Sequence, residues 1–397
     1  MENPAPRSNM RANRTTTTTP TRPDHPVRQR TVFVASIKGG VTKTSLSSAL
    51  AYEAARMGLT VLVVDSDGTG GFSSATNSYA EILKNDEGIW VEEPSITDAI
   101  LGGFPAPVRQ VENWTPNPDI PWVQGGPAIP GGRIFISPVP PSKSGRASIT
   151  EVISEPGITK ENRLSKVLEN SDIANLADLV IVDMPGTDNP AAISAMLYAA
   201  EHVIFPLYPA FFAFEALEGL DTRIDTWAEA SGKIVNYLGA IPTAIPTKLL
   251  RNPDEREVLI RSAWWLEDTF DGALGVMAPG IEHRKAFPRA QQYALPVTQL
   301  ASTRQELRDL GNLPAALTKT ALTMLANMRP EADDPETLGR KNYDVEAMKQ
   351  AVLAQDMPDE WRAIIEGPHY IDYEAEWVAH SPELKAEREE ELRLREA

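Results

Sequence analysis

The 397-residue chain predicts an α/β protein built on a mainly parallel, doubly wound sheet. A disordered basic tail precedes it and a helical acidic extension follows. Three observations carry that prediction. Short continuous runs of β-branched and apolar residues alternate with stretches of helical spacing, the pattern of strands covered on both faces by helices. The first run passes through a glycine- and lysine-rich turn directly into a helix. Two later runs end in aspartate, which places acid at the carboxyl ends of strands, where open parallel sheets bind ligands.

Taken in order, residues 1–30 hold Arg7, Arg11, Arg14, Arg22, Arg28 and Arg30 against Glu2 and Asp24, with few apolar side chains ("RTTTTTPTRP"). Such a segment buries too little surface to order itself. It reads as a disordered tail, or as a basic arm that touches DNA or a partner. "TVFVAS" is the first strand. "LSSALAYEAARMG" follows with helical spacing and a glycine stop at Gly58. "TVLVVD", "GRIFISP", "LVIVDMP" and "HVIFPLYP" are the second to fifth strands, and "NYLGAIPTAI" and "GALGVMAPG" the sixth and seventh. Helices are expected over 190–200, 214–230, 254–270 and 303–328. Residues 104–132 are dense in Pro and Gly and read as a long loop or insertion. The main domain is thus expected over 31–328, with a charged extension over 329–397. There "SPELKAEREEELRLREA" offers a capping serine and a proline at the first helical position. That helix is polar nearly all round, so it reads as solvated or as a docking element. No internal repeat is visible.

Composition narrows the class. Apolar residues make up 42%, ample for a core. The absence of cysteine excludes disulfides and thiolate metal sites. No apolar run reaches about 18 residues and the N-terminus lacks an apolar signal region, so a cytoplasmic protein with no membrane span is expected. A net charge of −17 and a pI near 4.9 argue against a chain coated in nucleic acid. They leave room for a local basic patch. "HRKAFPR" supplies one, with His283, Arg284, Lys285 and Arg289 close together; Lys248 and Arg251 would widen it.

The chemistry sits in "KGGVTKTS", residues 38–45. It departs from the usual phosphate-loop template, G-x-x-x-x-G-K-[ST], because Ile37 and Thr42 stand where the glycines should be. Its strand–loop–helix setting is nonetheless that of a phosphate loop. Gly39 and Gly40 let the backbone turn and approach an anion. Amides from Val41 to Ser45 would face phosphate oxygens at the helix N-terminus. Lys43 would supply the charge, and Thr44 a hydroxyl for Mg²⁺. Should residue 42 need a positive φ, a threonine there is costly. Asp65 and Asp67, two apart at a strand end, would point to one side. Asp183 ends the fourth strand.

These residues resemble the ParA/MinD family of ATPases. "KGGVTKTS" matches its deviant Walker A motif, KGGxxK[ST]. "VLVVDSDGTGGFSSAT" is similar to its second motif, and "LVIVDMPGT" to its Walker B strand. "SITDAILG", "VIFPLYPAFFAFEALEGL" and "IEHRKAFPRAQQYALPV" resemble later segments. The resemblance spans about 31–300 and is nearest to ParA partition proteins; no amphipathic membrane helix of the MinD kind is visible. It implies a P-loop NTPase-like fold, ATP and Mg²⁺ as cofactors, and ATP hydrolysis. It implies a cofactor loop of Lys38, Gly39, Gly40, Val41, Thr42, Lys43, Thr44 and Ser45, and a metal site of Thr44, Asp65 and Asp183. Lys38 would reach the partner's nucleotide in an ATP-bound homodimer, and Asp67 would position water. Arg284, Lys285 and Arg289 would bind DNA non-specifically, placing the ATP form on the nucleoid. A ParB-like centromere-binding protein would stimulate hydrolysis. "DGTGG" replaces the family's "DPQGN", so roles beyond Asp67 do not transfer; Gly186 and Thr187 form either an anion-facing turn or a plain one. Three other readings remain open: a relative that positions protein or conjugation cargo, a biosynthetic enzyme of the dethiobiotin or cobyrinic acid synthase type, and a non-hydrolysing adaptor.

Overall fold

The computed structural model describes residues 26–36, 42–66, 71–84, 90–116, 131–139, 151–152, 162–183, 189–246, 248–270, 275–300, 309–328 and 343–396. Its strands in chain order are β1 (Thr31–Val34), β2 (Thr60–Asp65), β3 (Ile82–Lys84), β4 (Trp90–Glu92), β5 (Arg109–Gln110), β6 (Arg133–Ser137), β7 (Leu179–Asp183), β8 (His202–Leu207), β9 (Asn236–Ile245) and β10 (Ile281–Glu282). Eight of them form one sheet in the order β10-β9-β8-β1-β7-β2-β6-β5. All neighbours in it run parallel except β5, which pairs antiparallel with β6 at the edge. The remaining two, β3 and β4, make a separate hairpin. The loop-bearing strand β1 therefore lies centrally, between β7 and β8.

The unbroken apolar runs have a direct cause. Successive side chains of a strand face opposite ways, and here both faces are covered. Phe33, Leu62, Val64, Val180 and Val182 enter one core; Val32, Val34, Val61, Val63, Leu179 and Ile181 enter the other. The first core is roofed by α3 (Ile96–Gly102), α4 (Arg163–Glu169), α6 (Pro190–Ala199), α7 (Phe211–Ser231) and α8 (Pro253–Thr269), with α5 (Asp172–Leu176) beside α4. The second is roofed by α1 (Lys43–Arg56), α2 (Gly71–Thr76), α9 (Ala286–Tyr293) and α10 (Leu313–Asn327). Caps set several boundaries. Ser95 and Asp98 form a capping box on α3, Asn189 caps α6 ahead of Pro190, and Gly58 at φ 94° follows the end of α1.

Three features differ from expectation. "GALGVMAPG" supplies no named strand among the described residues: Val276 and Met277 make only isolated bridges, and the edge strand is Ile281–Glu282. Among the described residues the segment bonds β9 only at Ala240; Pro279 has no amide to donate and Gly280 sits at φ 79°, so the pairing goes no further before Ile281. The insertion is not wholly loop, since Arg109–Gln110 joins the sheet and Glu112–Trp114 forms a 3₁₀ turn; its residues 117–130 lie outside the described residues. Of the basic tail, Val27–Arg30 forms a 3₁₀ turn in which Arg28 pairs with Glu201 at 3.0 Å and buried Arg30 donates to the Ala177 carbonyl. Residues 1–25 lie outside the described residues, as do 303–308 of the expected 303–328 helix.

The extension supplies α11 (Val345–Leu353), α12 (Asp359–Glu366), α13 (Tyr373–Glu376) and α14 (Pro382–Glu396). Val352, Trp361 and Ile365 enter one core and Ile371, Trp377 and Val378 the other. Between them the chain crosses the β10 end of the sheet, where Ile371 N–H donates to Val276 O (2.8 Å) and Ala278 N–H to His369 O (2.9 Å).

Candidate nucleotide site

The start of α1 lies at the carboxyl end of β1. Its N-cap, Thr42, has φ 64° and ψ 15°, the left-handed region that a β-branched side chain disfavours. The glycine usual at this position is thus explained by the backbone, and the chain holds that geometry with a threonine. Leu46 N–H donates to Thr42 O at 2.9 Å, closing the first turn. At such a helix start the macrodipole favours an anion. Lys43 begins the helix and is only 6% exposed. Thr44 and Ser45 follow, half-buried. A Cβ on Gly71 would come within 2.8 Å of Thr44 Oγ1, so α2 starts against that hydroxyl because residue 71 has no side chain. Lys38, Gly39, Gly40 and Val41 lie outside the described residues, as do Asp67, Gly186 and Thr187.

Asp65 and Asp183 are register partners on β2 and β7, and both are completely buried. Asp183 also lies opposite Val34 of β1, next to the loop. Each carboxylate is tied to a helix. Asp183 Oδ1 accepts from Ser47 Oγ of α1 at 2.9 Å, and Asp65 Oδ2 accepts from Ser73 N–H of α2 at 2.7 Å. Ser66 donates its amide (3.1 Å) and its hydroxyl (2.5 Å) to the Asp183 carbonyl, locking the two strand ends together. Asp65 therefore caps α2 as well as facing the site. Ser47 was invisible as a site residue in the sequence; only its position three after Thr44 on one helix face hints at it.

The hydroxyl and carboxylates form a hard-oxygen donor set that fits Mg²⁺, which takes one or two protein oxygens and keeps phosphate and water for the rest. Among the described residues, no three His, Asp or Glu side chains cluster closely enough to hold a metal unaided.

A cleft of about 220 Å³ continues from the helix start along the ends of β9 and β10, lined by Thr42, Ser45, Thr243, Arg284, Phe287 and Gln291 among others. Arg284 is half-buried, lines this cleft and pairs with Glu282. It also lines a second, wider cleft of about 700 Å³, together with His283, Asp309 and the exposed Lys285 and Arg289. Arg289 lies 6.0 Å from the ring centre of Tyr293. Lys248 and Arg251 line a different groove, facing Glu282, Glu376 and His380. Among the described residues no helix is long and apolar enough to cross a membrane.

Comparison with known proteins agrees with this geometry. The sequence model of the CobQ/CobB/MinD/ParA nucleotide binding domain matches residues 32–297. Protein IncC of Escherichia coli is 25% identical over 232 residues, covering 56% of this chain and 52% of IncC, so the chain spans about half the length of that relative. Apo McdA of Cyanothece is similar in structure at a TM-score of 0.53 and 17% identity, over 74% of this chain and 99% of McdA. An aspartate-to-alanine variant of McdA in complex with ATP gives 0.53 at 15%, over 83% and 99%. At these identities the structural likeness is one of fold. Because the family's sequence model matches well over half of the chain, this protein belongs to the CobQ/CobB/MinD/ParA family of nucleotide-binding domains.

Proposed function

We propose that this chain is a ParA-like ATPase that binds ATP with Mg²⁺, closes as a homodimer around the nucleotides, and holds DNA non-specifically until a ParB-like partner triggers hydrolysis. The observation that carries the reading is the convergence of buried Lys43, Thr44 and the adjoining strand-end acids Asp65 and Asp183 at one helix N-terminus. Lys43 and the loop amides hold the phosphates. Thr44, Asp183 and, more remotely, Asp65 are the residues that would hold Mg²⁺; bound there, the ion neutralises charge on the phosphates. The cleft beside Thr42 and Ser45 takes the nucleoside. Lys38 supplies a cation to the partner's nucleotide, and Asp67 orients the attacking water. Lys285 and Arg289, exposed in an otherwise acidic chain, contact DNA phosphates, and such contacts make binding steeply salt-dependent. The ATP form accordingly resides on the nucleoid of the cytoplasm.

Light scattering with a non-hydrolysable ATP analogue and Mg²⁺ tests the scheme. The wild type should double in mass, Lys43→Ala should bind no nucleotide, and Lys38→Ala should bind nucleotide yet fail to dimerise or turn over. A wild type that stays monomeric at saturating analogue refutes it. Phosphate release with and without DNA then separates a DNA-responsive ATPase from a biosynthetic enzyme or a non-hydrolysing adaptor.

A further inference from the structure

The Pro-rich insertion carries a residue packed between helices that flank the nucleotide site and the end of the basic helix. Trp114 is 2% exposed. Its indole packs against Phe72 of α2 (ring centres 5.6 Å apart) and edge-on against Tyr52 of α1 (6.2 Å). Its Nε1–H donates to the Ala294 carbonyl at 3.0 Å, and Asn113 Nδ2 donates to the same oxygen at 2.7 Å. Ala294 is the left-handed C-cap of α9, the helix that carries Arg289 and follows Lys285. The other end of the chain of contacts is the site. Phe72 lies between Gly71, which abuts Thr44, and Ser73, whose amide is held by Asp65. Helices α2 and α9 also touch directly, around a void of about 20 Å³ bordered by Ser45, Ala75, Trp114 and Ala290. Any shift of α2 when Thr44 or Asp65 changes its ligands therefore moves Phe72 against a ring whose polar end grips the last turn of α9. Packed aromatic rings transmit such a shift because the core leaves them little slack.

We infer that Trp114, with Asn113, is a positioning residue that couples occupancy of the nucleotide site to the placement of the basic helix α9. The inference rests on the proposed function for what α9 binds, but the coupling can be read without DNA. The test uses the full chain as wild type, Asn113→Ala, Trp114→Phe and the double variant. Phenylalanine keeps a ring between Phe72 and Tyr52 and removes the indole donor; Asn113 is exposed, so its alanine variant retains the fold even should Trp114→Phe not. Three quantities are measured with and without an ATP analogue and Mg²⁺: nucleotide affinity, hydrogen exchange of amides 286–295, and binding of a random-sequence duplex. In the wild type, nucleotide should change exchange across 286–295. The variants should bind nucleotide within about two-fold of wild type, a small effect at a site they do not touch, while that exchange response shrinks and the nucleotide-dependent gain in duplex affinity falls at least several-fold. An exchange response in the wild type that the variants abolish, with no duplex binding in any of them, upholds the coupling and removes DNA as its output. A wild type whose 286–295 amides ignore nucleotide, or variants that respond as the wild type does, overturn it.

Discussion

Glu53→Ala should destabilise this protein more than most single substitutions. Glu53 and Arg56 lie one turn apart on α1 and both side chains are 0% exposed. Arg56 Nη1 donates to both carboxylate oxygens at 3.0 Å. Thr318 of α10 donates to Glu53 at 2.8 Å and Thr298 at 3.3 Å, so one carboxylate clamps α1 to two later elements. Removing one partner of a buried pair costs about 3–5 kcal/mol, because the other charge stays buried without compensation. The threonines add little to that figure, since Thr318 also has the Pro314 carbonyl at 2.9 Å. We therefore expect a loss of about 4 kcal/mol. Replacing both charges, as Glu53→Leu with Arg56→Met, should recover most of it, leaving a coupling energy of about 2–3 kcal/mol between the sites. Urea unfolding followed by circular dichroism measures wild type, Glu53→Leu, Arg56→Met and the double variant as the four corners of the cycle, alongside Glu53→Ala, with m-values compared to check that the transition keeps its form. A Glu53→Ala protein within 1 kcal/mol of wild type, or strict additivity of the two changes, refutes the account.

Thr42→Gly should stabilise the fold by about 0.5–1 kcal/mol in urea, since relief of the left-handed threonine outweighs the added freedom of the unfolded chain; a net destabilisation would show that the Thr42 side chain is worth more than its strain. Burial pulls the His202 imidazole down from 6.5 to about 4, with Nε2 facing the Gln29 carbonyl. The unfolded chain takes up this proton below pH 6.5 and the folded one does not, so stability falls as pH drops from 6.5 toward 4, by about 3 kcal/mol over that window. His202→Gln should flatten that acid limb, and an unchanged limb counts against the assignment. Arg388→Ala should free α14, because Arg388 pairs with Asp268 and lies 5.4 Å from the ring centre of Trp264; exchange of amides 382–396 should rise about ten-fold or more, consistent with losing a charge-assisted pair and a cation–π contact.

Much of the sheet was legible because burial on both faces writes itself into a strand as an unbroken apolar run. Thr60–Asp65 and Leu179–Asp183 fall where those runs predict. What failed was the last expected strand. "GALGVMAPG" is apolar enough, but apolarity does not report how far a run pairs; among the described residues it bonds β9 only at Ala240, and Pro279 and Gly280 end the run there. In the site, Lys43, Thr44, Asp65 and Asp183 could be placed from their positions at element ends. Thr42 even signalled its strain, as a non-glycine residue where the motif has glycine. Glu53 and Trp114 carried no signal, and Ser47 little beyond its place on the helix face of Thr44, because each owes its role to partners distant in sequence: Thr298 and Thr318 for Glu53, Ala294 for Trp114 and Asp183 for Ser47. In the basic turn, sequence proximity groups Arg284 with Lys285 and Arg289, and the three do line one cleft; what the sequence does not show is that Arg284 also borders the narrower cleft, where it pairs with Glu282.

The extension shows why charge content is a poor guide to docking. The α14 sequence is polar nearly all round, which suits a solvated helix, yet its inner face is paired residue by residue with α8. Arg261 bonds Glu387 through two nitrogens at 3.1 and 3.0 Å, Arg256 Nε donates to Ser381 at 2.8 Å, and Arg388 meets Asp268. The exposed Arg261–Glu387 pair contributes little and selects the docking register more than it holds it, whereas Arg256, Ser381 and Arg388 are buried and help to hold α14. The rest of the extension is held by a few large side chains spread thinly enough to escape any periodicity. Trp361 and Trp377 are each 4% exposed, and Ile365 is fully buried; residues of that size contribute about 1.5–3 kcal/mol apiece on burial. Lys319 of α10 completes the attachment by donating to the Ile365 and Gly367 carbonyls at the end of α12, at 3.1 and 2.5 Å, a cation where the helix dipole is negative. With one half packed on each face and residues 369–371 paired across 276–278, the extension also covers backbone that would otherwise stand open beside β10, and so shields the edge of the sheet nearest the nucleotide cleft from pairing with another chain.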